Sequence, residues 1–168
     1  MSTAAVSAPE RLKKFSSLSA VLTGFTEKTV SPENDPKDLK TLYLQTADAN
    51  LKPGTVDTLL SRFDALRGKP NQEMADALLA TGNPNPDYVA NAARSILKMW
   101  YVGLWYPPQD NNVFVVSGGA YTGGLLWKAI QAHPIGFSTF RFGDWSAPPP
   151  SMQDFGVDVP PGGGSHGK

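Results

Sequence analysis

The first two thirds of the chain carries apolar residues at helical spacing. In the clearest stretch, residues 87–108, four apolar side chains are separated by four, three and four positions: Val89, Ala93, Ile96 and Trp100. This spacing lines one face of a helix. Asp87 is suited to accept hydrogen bonds from the first free N–H groups of that helix, while Pro107-Pro108 cannot continue it. The pattern predicts a central helix that ends in a group of aromatic residues.

Four shorter amphipathic helices are predicted before the central one. The first spans about residues 8–23, with a capping box of Ser7 and Glu10 at its start and Gly24 as its left-handed end. The second is expected to run from Pro36 to a stop at Pro53-Gly54. The third runs from a capping Thr55 to Gly68, and the fourth from Asn71 to Gly82. Each carries one apolar stripe, which is typical of helices that pack in a bundle.

The pattern changes in the last third of the chain. Residues 113–116 form a short apolar, β-branched run of the kind found in strands. Residues 120–130 can form one more helix, although Gly123-Gly124 weakens it by about 1 kcal/mol per glycine. Helical periodicity then disappears after His133-Pro134, and aromatic residues lie among Gly, Pro and Ser: Phe137, Phe140, Phe142, Trp145 and Phe155. Such a segment becomes ordered by lying in a groove, either of its own domain or of a partner.

These patterns predict an all-α fold, a small helical bundle followed by an irregular C-terminal segment rich in aromatic, Pro and Gly residues. The chain has 168 residues, which is enough for one sizeable core and gives no reason to expect two domains. We expect residues 1–6 to be disordered, residues 7–147 to form the helical domain, and residues 148–168 to form a Pro/Gly-rich tail.

Composition narrows the functional classes. Lys plus Arg and Asp plus Glu balance at 15 each, which argues against a nucleic-acid partner and against an electrostatic membrane anchor. Charged residues make up 18% of the chain, below the usual quarter, as in proteins that cover surface with another protein. The absence of cysteine excludes disulfides, cysteine-ligated iron–sulfur clusters, thiolate nucleophiles and covalently attached haem in this chain.

Neither end of the sequence looks like a targeting or membrane segment. No apolar run approaches the length that spans a bilayer, and the first nine residues lack the basic and apolar regions of an export signal. Two expectations follow: either the protein is cytoplasmic, or an export signal has been removed from this sequence.

The sequence offers no defensible catalytic group. Its two histidines, His133 and His166, have neither metal-ligand spacing nor a nearby nucleophile. The glycines of residues 117–124 lack the spacing of a dinucleotide fingerprint and the Lys-Ser/Thr pair of a phosphate loop, so tight turns and close helix packing explain them better. We therefore predict that the chain is not an enzyme and holds no metal or cofactor.

The aromatic end of the central helix has two compatible interpretations. It contains Trp100, Tyr101, Trp105 and Tyr106 within seven positions. These side chains can be buried in the core of the chain's own domain, or the tip can protrude and dock onto a partner.

Several segments, in order along about residues 12–150, resemble the small (gamma) subunit of membrane-associated FAD-dependent sugar and polyol dehydrogenases. The matching features are Phe15-x-x-Leu18-Ser19-x-x-Leu22-Thr23-Gly24, Trp100-Tyr101-x-Gly103, Tyr121-x-x-x-Leu125-x-Trp127, the loop residues Pro134 and Gly136, and Trp145 ahead of Pro148. Two features depart from the family: the twin-arginine export segment is missing, and Gly123-Gly124 stands where better helix formers are usual.

The resemblance implies a non-catalytic, helical subunit that binds a large flavoprotein of the glucose-methanol-choline oxidoreductase type and assists its maturation and export. FAD is then expected in that partner, haem c in a possible third subunit, and the complex in the periplasm, associated with the membrane. The aromatic residues expected to contact the partner are Trp100, Tyr101, Trp105, Tyr106, Tyr121, Trp127, Phe137, Phe140, Phe142 and Trp145.

Two other classes of function stay open. One is a free-standing ligand carrier or small enzyme with a pocket among Trp100, Tyr101, Tyr121 and Trp127. The other is a homo-oligomeric structural protein.

Overall fold

The computed structural model describes residues 7–134, and this part of the chain is mostly helical, which confirms the all-α prediction. The helices are α1 (Ala8–Thr23), α2 (Glu27–Val30), α3 (Leu39–Asn50), α4 (Thr55–Ala65), α5 (Asn71–Leu79), α6 (Tyr88–Val102), α7 (Gly118–Thr122) and α8 (Leu125–Ala129). Two short strands, β1 (Leu104–Trp105) and β2 (Phe114–Val115), form one antiparallel ribbon. The predicted disordered N-terminus, the Pro/Gly-rich tail and residues 135–147 of the helical domain lie outside the described residues.

Helix α6 is the centre of the bundle, and α1, α3, α4, α5, α7 and α8 pack against it. It begins as the sequence predicts, because the side chain of Asp87 accepts a hydrogen bond of 2.8 Å from the Ala90 N–H. It ends at Gly103, whose φ of 71° is a left-handed conformation that costs glycine little. None of the described helices has both the length and the hydropathy of a bilayer-crossing segment.

Hydrogen bonds and packing tie α6 to α1. The Trp100 indole N–H donates to the Ser19 hydroxyl at 3.0 Å, and the Tyr101 hydroxyl donates to the Thr23 carbonyl at 2.9 Å. Tyr43 of α3 packs edge-on against Trp100, with 4.6 Å between ring centroids. The apolar stripes predicted from the sequence therefore face one shared core around α6.

The predicted bounds of α1 are confirmed, but its capping box and two other predicted helix starts are wrong. Ser7 precedes α1 but makes no capping bond through its side chain. Helix α3 starts at Leu39 rather than Pro36, because the Asp35 carboxylate accepts bonds from two N–H groups further along and holds residues 35–38 in a turn. Thr55 is the first residue of α4 instead of its cap, since Gly54 takes the cap position with a φ of 76°.

The single helix predicted over residues 120–130 is also wrong. It is split into α7 and α8 at Gly123-Gly124. A Cβ on Gly124 would lie 2.6 Å from the Tyr101 carbonyl oxygen, so the glycine lets the chain pass directly against the backbone of α6. The close packing that was inferred for these glycines is thus present, whereas the helix they were expected to weaken is interrupted.

Candidate partner-binding site

Two of the aromatic residues predicted to contact a partner belong to the core instead. Trp100 is 2% exposed and Trp105 is 0% exposed. The idea that the whole aromatic tip protrudes is therefore wrong for these two side chains. The Trp100 ring is fixed by its bond to Ser19, and Trp105 follows the left-handed turn at Gly103, which folds β1 back over the bundle.

The other two aromatic residues at this end, Tyr101 of α6 and Tyr106 just after β1, are partly exposed. Tyr101 is half-buried, contacts the edge of Phe25 and has its pKa raised by that burial. Lys98 lies over the Tyr106 ring at 5.1 Å. Both tyrosines line an open, largely apolar groove of about 550 Å³, whose lining residues are Leu22, Leu97, Lys98, Tyr101, Val102 and Tyr106.

Tyr121 and Trp127 form a separate pair on α7 and α8. Their rings meet edge-on at 5.4 Å, and the Trp127 indole N–H donates to the Tyr121 carbonyl at 2.8 Å. Both side chains are partly exposed, so they are available to a partner, although the Trp127 indole N–H is already satisfied within the chain. Neither residue lines the groove on α6, so the four-residue pocket of the ligand-carrier hypothesis is not assembled there. The remaining predicted contacts, Phe137, Phe140, Phe142 and Trp145, lie outside the described residues.

Three consecutive apolar residues in and just before β2 are exposed. Val113, Phe114 and Val115 are consecutive, and their exposed fractions are 43%, 42% and 56%. They include most of the large apolar side chains that are exposed in residues 7–134, the other being Ile130. The β2 strand pairs only with β1 in this part of the chain, so its outer edge is open. An open, apolar strand edge is a template for pairing with another chain.

A cavity of about 280 Å³ opens beside this edge. It is lined by Asn50, Trp105, Pro107, Asp110, Asn112, Val113 and Phe114. The end of α3, the loop between the strands and both strands therefore contribute to it. Sequence reasoning identified the strand-forming run at residues 113–116, but it gave no sign that Asn50 would come next to it.

Trp105, one of the residues that line this cavity, carries an unsatisfied polar group. The Trp105 indole N–H is buried and has no hydrogen-bond acceptor among the described residues. Burying such a donor without a partner costs about 1–3 kcal/mol. Native structures contain few of these groups, and each asks for a physical explanation.

The groups that line this cavity are suited to binding. Within residues 7–134, no group of three or more His, Asp or Glu side chains is placed to hold a metal ion. The cavity brings together two amides, one carboxylate and apolar groups, which can form hydrogen bonds and bury apolar area. No protein-family model matches the chain, and neither a curated protein nor a solved structure matches it.

Proposed function

We propose that this chain is a non-catalytic small subunit that binds and stabilises the flavin-bearing subunit of a bacterial sugar or polyol dehydrogenase and assists its maturation and export. FAD belongs to the partner in this proposal, a haem c subunit can accept its electrons, and the complex works in the periplasm at the membrane. The observation that carries the proposal is the exposed apolar run Val113–Val115 on an open strand edge.

This run supports a protein partner for a physical reason. Single exposed apolar residues are common, but three in a row at an open strand edge favour self-association unless another protein covers them. Only 18% of the residues are charged, so the chain has few charges to prevent this strand edge from pairing with the same edge of another copy. The partly exposed pairs Tyr101/Tyr106 and Tyr121/Trp127 add aromatic surface of the kind enriched in protein interfaces.

The identity of the partner rests on the ordered series of motifs that resembles the dehydrogenase small subunits. Two of those motifs meet in the bundle: Ser19 and Thr23 of the first accept hydrogen bonds from Trp100 and Tyr101 of the second. The matched residues thus pack against each other inside the bundle. They support a helical fold in common with the dehydrogenase small subunits more than a common surface for contacting the flavoprotein.

The test is co-purification with a defined readout. The tagged chain, expressed in its native host, should bring down one large protein with flavin absorbance, and the complex should reduce an electron-acceptor dye when a sugar or polyol is added. The chain expressed alone should have neither property. A tagged chain that elutes without flavoprotein would contradict the proposal.

The groove on α6 favours a second candidate, a free-standing ligand carrier. Its volume of about 550 Å³ is within the range of pockets that bind small molecules, about 300–1,000 Å³. If this alternative holds, the isolated chain should be a folded monomer whose melting temperature rises with an apolar aromatic ligand, and Tyr101→Ala should abolish that rise.

A further inference from the structure

We infer that the outer edge of β2 and the cavity beside Trp105 form one docking site for an extended apolar segment of the flavoprotein, which pairs with β2 as an added strand. The inference rests on the proposed function, because it names how the flavoprotein is held. Five observations define the site and its occupant.

The register of the ribbon decides which backbone groups face outward. Leu104 is opposite Val115, and the Val116 N–H donates to the Gly103 carbonyl at 3.0 Å. In an antiparallel pair, hydrogen-bonded and non-bonded positions alternate, so Val115 occupies a non-bonded position. Its N–H and C=O therefore point away from β1, and no group within residues 7–134 bonds to the Val115 N–H. This amide is the free donor that an added strand would use.

Trp105, which lines the adjacent cavity, carries a second free donor, its buried indole N–H. Trp105 lies directly opposite Phe114, so both side chains are on one face of the ribbon, and both line the cavity. Phe114 is 42% exposed and can change rotamer freely, whereas Trp105 is fixed in the core. A docking segment that moves the Phe114 ring can bring an acceptor oxygen to the indole N–H. The unsatisfied donor is then explained as half of an intermolecular bond.

The size and charge of the cavity define its occupant. At about 280 Å³ it lies just below the range of pockets that hold whole small molecules, so it fits a single side chain better than a flavin or a haem. Asp110 is the one charged residue among the lining residues that the structure describes, and it disfavours an acidic occupant. The fitting segment is extended and apolar, inserts one large side chain, and has a Lys or Arg next to it.

Area decides between a flavoprotein segment and a second copy of this chain. A Phe side chain buries roughly 150–250 Å² in total, so Phe114 at 42% exposure and two smaller valines offer under about 300 Å². A stable dimer buries about 800 Å² per partner. Two β2 edges paired with each other would fall well short of that area. A segment of a larger protein that also contacts the surrounding surface can reach it.

Hydrogen exchange of single amides tests the pairing directly. The Val115 amide should exchange rapidly in the free full-length chain and at least tenfold more slowly in the complex purified through a tag on this chain. The Val116 amide is the internal reference, because its bond to Gly103 should protect it in both states. Slow exchange of Val115 in the free chain would mean that a second copy or another part of the chain covers the edge, and would overturn the inference.

A matched pair of variants tests the contribution to binding. Val115 and Ile130 are 56% and 55% exposed, so a lysine at either position is equally accessible to water. Val115→Lys should lower recovery of the flavoprotein at least tenfold, whereas Ile130→Lys should leave it unchanged. Far-UV circular dichroism and the urea midpoint show whether both variants fold. If Val115→Lys does not fold, hydrogen exchange of the wild-type Val115 amide still tests the docking site.

The outcomes separate the two levels of the proposal. If the wild-type chain recovers no flavoprotein, the proposed function is wrong. If the wild type and Val115→Lys recover it equally and the Val115 amide is unprotected in the complex, the function stands and this docking site is wrong.

Discussion

Substitution of Gly103 tests whether the turn after α6 is set by close backbone packing. Gly103 has a φ of 71°, and a Cβ added to it would lie 2.5 Å from the carbonyl carbon and oxygen of Ala120. Gly24 is a matched control: it ends α1 with a φ of 75°, and its N–H also bonds four residues back at 2.9 Å. A Cβ on Gly24 would meet no atom within 4 Å. The two glycines differ mainly in the space around them.

The two substitutions should therefore differ in cost. Gly24→Ala places an alanine in the left-handed region, which costs about 1–2 kcal/mol. Gly103→Ala carries the same penalty and also forces α7 away from α6, and overpacking of this kind costs about 1–3 kcal/mol. We expect Gly103→Ala to lower the free energy of unfolding by about 2–5 kcal/mol.

Urea unfolding of the full-length variants, followed by far-UV circular dichroism, measures this difference. With a slope of about 2 kcal/mol per M, an excess loss of 2 kcal/mol lowers the midpoint of Gly103→Ala by about 1 M relative to Gly24→Ala. Equal midpoints for the two variants would refute the reasoning, because they would mean that α7 can move away from Gly103 at no cost.

Three further predictions concern single side chains. The pKa of Asp87 is lowered, chiefly by its hydrogen bond from Arg62, so its contribution to stability is full above the ordinary pKa of about 4 and is lost as pH falls through the lowered value. Asp87→Ala should cost about 0.5–2 kcal/mol at pH 7, and urea midpoints measured down the pH scale should converge with those of the wild type. Ser19→Ala leaves the buried Trp100 indole N–H without an acceptor and should lower the free energy of unfolding by about 1–3 kcal/mol; an unchanged urea midpoint would contradict this. Trp145→Ala should weaken binding to the flavoprotein at least tenfold with unchanged circular dichroism, and unfolding of the free variant would assign Trp145 to the chain's own core instead.

Helix ends were predictable where one nearby residue decides them. Asp87 caps α6 and Gly24 ends α1 as the sequence indicates. The prediction of a helix start failed where two neighbouring residues could each begin the helix. Gly54 displaced Thr55 from the cap position, and Asp35 held a turn where the pattern favoured helix. Helix α2 has only four residues, too few for a helical period to be read.

The candidate site could be predicted only in part, because it is built from distant positions. The run at residues 113–116 predicted a strand, and β2 lies within it. Its pairing with Leu104–Trp105 was not predictable from two residues that continue an aromatic helix end. Beyond the end of a helix, the helical spacing of apolar residues no longer indicates whether an aromatic side chain points into the core or towards solvent. The sequence therefore left Trp105 open between the core and a surface that contacts a partner, and the structure places it in the core.

The bonds between α1 and α6 have a consequence for how the protein is made. Ser19 and Trp100 are 81 positions apart, and Thr23 and Tyr101 are 78 apart. At about 5–20 residues per second, a ribosome needs roughly 4–16 s to synthesise the residues between them. During that interval α1 can pack only against the earlier helices α2 to α5, and its two hydrogen bonds with α6 cannot form. A nascent chain that stops before α6 therefore lacks both of these bonds and the central helix of the bundle.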